Sequence, residues 1–363
     1  MYTEKAGNLR LSLALAFFFL VAAIIACRQN AGTTDVPISS DSPSTSAAAA
    51  GSPVTLRLGY FPNVTHAQPI IGLARGYFQE ALGPNVKLET KTFSAGPSVI
   101  EAIFAKELDA SYIGPNPTIN GYIRSNGEAL RIVAGATSGG ALFVVRPESG
   151  IATPADLAGK RLATPQLGNT QDVALRAYLA EHGLKTRDQG GDVEVIPTSN
   201  ATILTLFLKG DIDGAWVPEP WGTRLVREAG ATVFLDERDL WPDGDFVTTH
   251  LIVRKAFLDK HPDVVARLVL AHVEATDWIN ENRDAATDLV VKGITDATNA
   301  PIARELVVES WKNLRITTDP VASSLHKSAE DAYDLGFLGS ERPNLDGIYD
   351  LAALQAALQT VRP

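Results

Sequence analysis

The sequence predicts an α/β protein with two similar lobes, each built on a mostly parallel sheet. Strand-like and helix-like segments alternate from Val54 to Val253, and such alternation is typical of parallel sheets. A helix followed by a strand occurs in Ile100 to Ile113 and again, with one extra residue, in Ile203 to Val217. Helix–turn–strand units are common, so chance similarity is the alternative. A true repeat predicts two lobes whose helix starts can face one cleft.

Composition and charge limit the classes of function. The chain has 363 residues, of which 45% are hydrophobic and 20% charged, which is ordinary for a globular protein of two domains. The formal net charge of −10 argues against nucleic acid or an anionic membrane surface as a partner. A small anion stays possible, because local N–H groups decide its binding.

The N-terminus has the pattern of a secretory signal. Lys5 and Arg10 precede the apolar run Leu11 to Ile25, and Cys27 follows Ala26. This ending resembles the bacterial lipobox, in which Cys27 would be lipidated and tether the protein to the cell membrane. A plain membrane anchor is the alternative, and both place the folded part outside the cytoplasm. Cys27 is the single cysteine, which excludes an intrachain disulfide.

Residues 28–53 are rich in Ala, Ser, Thr and Pro and nearly free of large apolar side chains. Such a segment cannot bury a core and is predicted to be a flexible linker. The predicted folded part therefore begins at Val54.

The first strand and helix enclose a polar loop. The stretch Leu56 to Phe78 begins with an alternating strand, breaks between Gly59 and Pro62, and continues as a helix. The loop between them carries Asn63 and His66. Ligands of open α/β sheets bind where strands end and helices begin, so these two side chains are candidate ligand contacts. An ordinary capped βα turn is the alternative.

Later segments repeat this arrangement. Further strands are predicted at Val86 to Phe93, Leu108 to Ile113, Leu130 to Ala136, Ala141 to Arg146, Arg161 to Thr164, Val193 to Ile196, Gly214 to Val217 and Val247 to Val253. Helices are predicted from Ser98 to Lys106, Thr118 to Ser125, Gln171 to His182, Ala201 to Lys209 and Pro262 to Asn280, followed by a helical tail.

Several of these stretches resemble the extracytoplasmic substrate-binding proteins of ABC importers, in the sulfonate/nitrate/taurine branch. The resembling stretches are Gly59 to Asn63 with His66, Phe93 to Ser98, Tyr112 to Pro117, Thr153 to Lys160, Gly168 to Thr170, Asp213 to Trp216 and Glu219-Pro220. The resemblance implies a two-lobe periplasmic-binding fold of the second type. It places the interlobe crossings near Phe143 to Pro147 and Asp245 to His250. Lobe 1 would then be 54–144 plus 250–363, and lobe 2 would be 145–249.

The same resemblance implies capture of a small anion, with an aliphatic sulfonate as the first choice. Taurine, nitrate, bicarbonate, an aminophosphonate and a thiamine-pyrimidine precursor are alternative ligands. Delivery would be to an ABC permease with its ATPase, and a monomer is expected.

A sulfonate head group has three acceptor oxygens and one charge, and it is best held by N–H and O–H donors at helix starts. The candidate ligand contacts at predicted helix starts are Gly96, Pro97, Ser98, Asn116, Thr118, Gly168, Asn169 and Thr170. Each residue alone is better explained as a helix cap, whereas the set on one side of a two-lobe fold favours a pocket. Trp216 and Trp221 could form apolar walls or pack in the core. The carboxylate of Glu219 would repel an anion, so it either binds an ammonium group of the ligand or has a structural role.

Two other classes are weighed. An enzyme on this fold, of the pyrimidine-synthase type, would need a cysteine-rich motif, and the sequence has no GxSxG, HExxH or phosphate-loop pattern. No catalytic residue, cofactor or metal site is therefore expected. A sensor domain is the other class, and the sequence has no transmembrane pattern after the folded part.

Overall fold

The computed structural model describes residues 53–362 and has two β-sheets. The predicted signal segment 1–27 with Cys27, and all but the last residue of the predicted linker 28–53, lie outside the described residues. The two-lobe α/β fold predicted from the sequence is confirmed.

The strands are β1 (Val54–Tyr60), β2 (Val86–Thr92), β3 (Ala110–Ile113), β4 (Leu130–Gly139), β5 (Ala141–Val145), β6 (Arg161–Thr164), β7 (Glu194–Pro197), β8 (Gly214–Pro218), β9 (Thr232–Asp236), β10 (Val247–Arg254) and β11 (Leu314–Ile316). The helices are α1 (Ala67–Ala74), α2 (Tyr77–Leu82), α3 (Gly96–Phe104), α4 (Pro115–Arg124), α5 (Thr170–Glu181), α6 (Asn200–Lys209), α7 (Trp221–Ala229), α8 (Lys255–Lys260), α9 (Pro262–Glu281), α10 (Arg283–Thr298), α11 (Arg304–Ser310), α12 (Ala322–Asp334) and α13 (Ala352–Val361).

Five strands of the first sheet have the same topology as the five strands of the second. The first has the order β11-β4-β10-β3-β1-β2, and the second has the order β7-β6-β8-β5-β9. In each, a central strand pairs in parallel with two neighbours, β1 with β2 and β3, and β6 with β7 and β8. An antiparallel strand follows in each sheet, β10 beside β3 and β5 beside β8. The repeat in the sequence thus corresponds to equivalent units of the two lobes.

The first interlobe crossing lies earlier than the sequence predicts. β5 belongs to the second sheet, and Phe143 is fully buried there. The chain therefore leaves the first sheet at the end of β4 and enters the second at Ala141, and not near Phe143 to Pro147. The expected boundary of lobe 1 at residue 144 was wrong for this reason. We place the lobe boundaries at 139/140 and 246/247, where β10 begins.

The two crossing segments lie side by side. Ser138 of β4 pairs with Val247 of β10. The Gly139 N–H donates to the Phe246 carbonyl (3.0 Å), and the Thr248 hydroxyl donates to the Gly139 carbonyl. Gly139 and Gly140 have φ of +75° and +81°, a left-handed conformation that glycine adopts without steric cost. The connection is therefore a hydrogen-bonded ribbon with two glycines on one strand.

Both sheets are covered on both faces. In β5, Phe143 packs in a core with α5, whereas its neighbours Leu142 and Val144 pack on the opposite face against α6 and α7. Successive strand side chains point to opposite faces, so a continuous apolar run fits a sheet that is buried on both sides. Each such buried side chain contributes about 1.5–3 kcal/mol to stability. Within residues 53–362, no helix is both long and apolar enough to cross a lipid bilayer.

Candidate functional site

Four helix starts meet at a small cavity between the lobes. α3 and α4 contribute Gly96 and Gly114 from the first lobe, and α5 and α6 contribute Thr170 and Asn200 from the second. The first N–H groups of a helix have no intrahelical partner, and the helix dipole places partial positive charge there. The cavity has a volume of about 30 Å³. Its electrostatic environment therefore favours a compact anion.

The polar side chains that line this cavity are uncharged. They are Asn63, Thr65, His66, Ser94, Asn169, Thr170, Gln171, Asn200, Thr248 and Thr249. No Asp, Glu, Lys or Arg is among the lining residues. An anion here would be held by hydrogen-bond donors and dipoles, without an opposing carboxylate.

His66 is neutral and positioned by the strand before it. It is 3% exposed, and burial lowers its pKa to about 3. The Phe61 N–H donates to His66 Nδ1 (3.3 Å), so the ring proton lies on Nε2. His66 is thus available to the cavity as a neutral N–H donor, in the loop that the sequence predicted.

Asn63 spans the two lobes. It is 5% exposed, and its Oδ1 accepts a hydrogen bond from Trp221 Nε1 of α7 (3.1 Å). Its amide NH₂ remains as a donor at the cavity. Trp221 therefore acts as a contact between the lobes in this arrangement and is not a wall of the cavity.

The loop before α5 is held by local capping bonds. Asn169 Oδ1 accepts from the Asp172 N–H (2.9 Å), and its Nδ2 donates to Gln171 Oε1 (3.2 Å). Asp172 in turn accepts from the Gly168 N–H (2.9 Å). Asn169 is both a helix cap and a lining residue, so the two roles weighed from the sequence are compatible. Gly168 lies in the loop but does not line the cavity.

Gly114 and Thr170 bring the lobes into close contact. A Cβ atom at Gly114 would overlap the Thr170 hydroxyl, and it would lie 3.5 Å from the Thr248 carbonyl. Gly114 has φ −73°, so its lack of a side chain matters for space and not for backbone conformation. In this arrangement of the two lobes, a side chain at residue 114 would force Thr170 to shift.

The sequence analysis missed six of the ten polar lining residues, among which Thr249 and Asn200 are the most informative. Thr249 is fully buried and Asn200 is 7% exposed, yet Thr249 Oγ1 and Asn200 Oδ1 have no hydrogen-bond partner among the described residues. Leaving a buried polar group unpaired costs about 1–3 kcal/mol, so such groups at a cavity suggest a ligand. An asparagine amide can present either its oxygen or its NH₂ to a ligand. The feature of the sequence that could have indicated Thr249 as a ligand contact is the polar run Thr248-Thr249-His250 at the start of a strand.

Besides Gly168 and Glu219, five of the predicted contacts do not line this cavity. Ser98 is exposed and Pro97 is partly exposed, because both lie on the outer side of the first turn of α3. The Thr118 hydroxyl donates to the Gly114 carbonyl within its own helix (2.8 Å). Trp216 stacks on Phe143 in the core of lobe 2, with ring centroids 5.2 Å apart. Asn116 lines a neighbouring cavity, where its Nδ2 donates to the Ser328 carbonyl (3.1 Å).

Glu219 connects the two lobes. It is fully buried and accepts hydrogen bonds from the N–H and hydroxyl of Thr223 (3.0 and 2.9 Å), from Ser310 Oγ (3.2 Å) and from Asn313 Nδ2 (2.5 Å). Burial raises its pKa above the ordinary value, although the four donors oppose this. Ser310 and Asn313 belong to the part of the chain that follows β10. Glu219 does not line the cavity at the four helix starts, which we call the anion cavity. Its contacts favour the structural role over binding a ligand ammonium.

Comparison with known proteins places this chain in a family. The profile of the NMT1-like family matches residues 49–294. The chain belongs to the NMT1-like family. A Brucella abortus relative, described as a candidate binding protein, is 30% identical over 205 residues. The match covers 56% of this chain and 61% of that relative, so this chain matches less than two thirds of its length.

A further relative and a structural neighbour of this NMT1-like chain are named for the ligands they bind. The taurine-binding periplasmic protein of Escherichia coli K12 is 27% identical over 221 residues, covering 61% of this chain and 66% of its own. The alkanesulfonate-binding protein SsuA from Xanthomonas axonopodis pv. citri, solved bound to MOPS, superposes with a TM-score of 0.69 at 19% identity. That comparison covers 83% of this chain and 99% of SsuA, and it shows a shared two-lobe fold.

Proposed function

We propose that this protein is the extracytoplasmic substrate-binding component of an ABC importer and captures a small anion between its lobes, with an aliphatic sulfonate as the first choice. The single observation that carries the proposal is the convergence of four helix starts on one cavity without a charged lining residue. A sulfonate group needs several donors around three oxygens, and this lining supplies amides, hydroxyls and helix N–H groups. The names of the relatives support the same ligand class.

The size of the cavity limits what it holds. A volume of about 30 Å³ corresponds to roughly two water-sized spheres. A compact head group fits, whereas the tail of an alkanesulfonate would have to extend beyond this cavity. Nitrate and bicarbonate, and the head groups of taurine and an aminophosphonate, are alternatives of the same size class. A thiamine-pyrimidine precursor presents no such anion and is the less favoured ligand.

The proposed mechanism is lobe closure upon binding. Lining residues come from both lobes, so the ligand makes its full set of contacts only when the lobes are together. A ligand that binds the closed state more tightly shifts the population towards it. The closed complex would then deliver its cargo to a membrane permease driven by an ATPase. The lipid on Cys27 would keep a monomeric protein near that permease.

We infer binding without chemical conversion. His66 is the one lining residue with a titratable ring, and burial lowers its pKa to about 3. A general base works best with a pKa near the working pH, so this ring is poorly suited to that role at pH 7. The lining favours a protein that binds and releases its ligand unchanged.

The test combines a ligand panel with two matched hydroxyl variants. The purified full-length chain is screened by thermal shift against propanesulfonate, taurine, nitrate, bicarbonate, aminoethylphosphonate and a hydroxymethylpyrimidine. A ligand that binds only the folded state raises the melting temperature. The strongest binder is then measured by calorimetry against Thr249→Val and Ser98→Ala.

Thr249→Val removes an unpartnered buried hydroxyl, so we expect unchanged or higher stability with roughly tenfold weaker binding, about 1.4 kcal/mol. Ser98→Ala changes an exposed hydroxyl at a helix start outside the cavity, and its affinity should not change. The assignment of the cavity fails if Thr249→Val binds normally or if Ser98→Ala is the weaker binder. The choice of a sulfonate fails if only the pyrimidine gives a shift.

A further inference from the structure

Three asparagines line the anion cavity, and they differ in what fixes their side-chain amides. Both ends of the Asn169 amide bond to neighbours within lobe 2. Asn200 Oδ1 has no partner among the described residues. The Asn63 amide belongs to lobe 1 but is bonded by lobe 2, because Trp221 Nε1 donates to its Oδ1 (3.1 Å). One donor of the site is therefore held by the opposite lobe.

The chemistry of Trp221 decides which way the Asn63 amide points. An indole N–H can only donate a hydrogen bond, so the atom that it contacts is the amide oxygen. The NH₂ group is then left for the cavity, where an anion needs a donor. With the amide turned round, its oxygen would face the anion and repel it. Asn63 makes no capping bond to the helical turn Val64–His66 that follows it, so that turn does not orient the amide.

The Trp221 ring is itself held in place within lobe 2, at the first position of α7. The Arg224 guanidinium lies over the ring, 4.6 Å from its centroid, and pairs with Glu228 (3.0 Å). Glu219 holds the first turn of α7, since its carboxylate accepts from the Thr223 N–H (3.0 Å). The indole N–H is therefore presented to lobe 1 from a fixed position.

Other contacts already hold α7 against lobe 1. The Arg227 guanidinium donates two hydrogen bonds to the Glu309 carboxylate of α11 (2.6 and 2.7 Å). The Glu219 carboxylate accepts from Ser310 Oγ (3.2 Å) and Asn313 Nδ2 (2.5 Å). Contact between the lobes on this side therefore does not depend on the indole N–H. This favours a role of the indole in orienting Asn63 over a role in holding the lobes together.

We propose that Trp221 is a positioning residue for anion capture: when the lobes close, its N–H fixes the Asn63 amide with the NH₂ group towards the anion. This inference rests on the anion capture proposed above. Trp221 does not line the cavity, so it acts through Asn63. In the open state the amide lacks this bond, and closure delivers an oriented donor to the anion. The ligand thereby gains a further contact that only the closed state provides, which adds to its preference for that state.

The test is a double-mutant cycle on the full-length chain with propanesulfonate as the probe. Affinities are taken from thermal-shift titrations, which also quantify weak binding at high ligand concentration. Trp221→Phe keeps an aromatic ring but removes the donor, and we expect roughly fivefold weaker binding. Asn63→Ala should weaken binding by about tenfold. In the Asn63→Ala background, Trp221→Phe should have no further effect, because the amide on which it acts is absent.

The matched control is Trp278→Phe, the same substitution at a tryptophan of α9 in lobe 1. Trp278 stacks on the Arg75 guanidinium (4.1 Å to the ring centroid) and does not line the cavity. Its variant should bind propanesulfonate as the natural protein does. Unchanged affinity in Trp221→Phe would overturn the role of Trp221 and leave anion capture standing. A loss that persists in the Asn63→Ala background would mean that Trp221 acts by packing alone, which also overturns the proposal.

A second readout separates orientation of the amide from a simple bond between the lobes. In protein with isotope-labelled asparagine, saturated with propanesulfonate, the Asn63 NH₂ signals are assigned by their loss in Asn63→Ala. Because both proteins are closed at saturation, a role confined to closure predicts equal exchange of these protons with water. We expect faster exchange in Trp221→Phe, whose amide can turn away from the anion, and equal rates would overturn the positioning role. If propanesulfonate does not bind the natural protein, sulfonate capture fails and this inference fails with it.

Discussion

The buried carboxyl of Glu237 predicts an unusual dependence of stability on pH. Its pKa is about 8 in the folded protein, against an ordinary value of 4.5, because burial disfavours the charged form. The folded state therefore holds this proton more tightly than the unfolded state between pH 4.5 and 8. Stability contributed by the neutral acid is complete below pH 4.5 and is lost as the pH rises through 8.

The size of the effect follows from the two pKa values. One pKa unit corresponds to 1.36 kcal/mol, so raising the pKa from 4.5 to about 8 amounts to roughly 5 kcal/mol lost between those two limits. Glu237→Gln replaces the acid with a neutral amide of nearly the same shape, which cannot ionise. We expect the free energy of unfolding of this variant, relative to the natural protein, to rise by several kcal/mol from pH 5 to pH 8.5.

The assay is urea denaturation of both proteins at pH 5, 6.5 and 8.5, without ligand. The difference between the two proteins at each pH removes the contributions of every other titrating group. Glu181→Gln serves as the exposed control, and its difference from the natural protein should be nearly the same at all three pH values. A Glu237→Gln difference that does not change with pH would refute the buried, neutral state of this carboxyl.

Three further predictions follow from the same structure. Gly114→Ala should weaken binding of the anion identified in the panel by about tenfold or more, because the new methyl group overlaps the Thr170 hydroxyl when the lobes meet; calorimetry showing unchanged affinity would contradict it. Asp109→Asn should lower the free energy of unfolding by about 3 kcal/mol in urea denaturation, since this buried carboxylate pairs with two arginines; a loss below about 1 kcal/mol would contradict it. Burial lowers the pKa of His272 to about 4, so its NMR signals should not titrate near pH 6.5. Its contribution to stability falls as the pH drops from 6.5 towards 4, since the unfolded chain binds the proton first.

Much of the fold could be predicted from local pattern. The strand over Arg161–Thr164 has the predicted bounds, and α9 differs from the prediction by one residue at its end. Strand direction could not be read this way. β5 and β10 each follow a crossing from the other lobe, so their antiparallel pairing depends on contacts between distant parts of the chain.

β9 was missed for a related reason. It lies at the edge of the second sheet, and its residues Thr232 and Val233 are exposed. An edge strand lacks the full burial that produces a clear apolar signal.

Prediction of the candidate site has the same limit. The sequence placed Asn63, His66, Asn169 and Thr170 near a ligand, but it could not distinguish Gly96, which faces the cavity, from Ser98 two residues later, which faces solvent.

The paired crossing segments have a mechanical consequence. Because β4 and β10 are hydrogen-bonded up to the point where they leave the first sheet, the lobes cannot slide or twist freely relative to each other. A two-stranded ribbon bends most easily about a line that runs across both strands, and Gly139 with Gly140 lowers the steric resistance to that bend. We therefore expect the lobes to move mainly about this one axis of rotation. Each cycle of opening and closing would then return Gly114 to the same position against Thr170. The hinge would thereby restore the same geometry of the site at every closure.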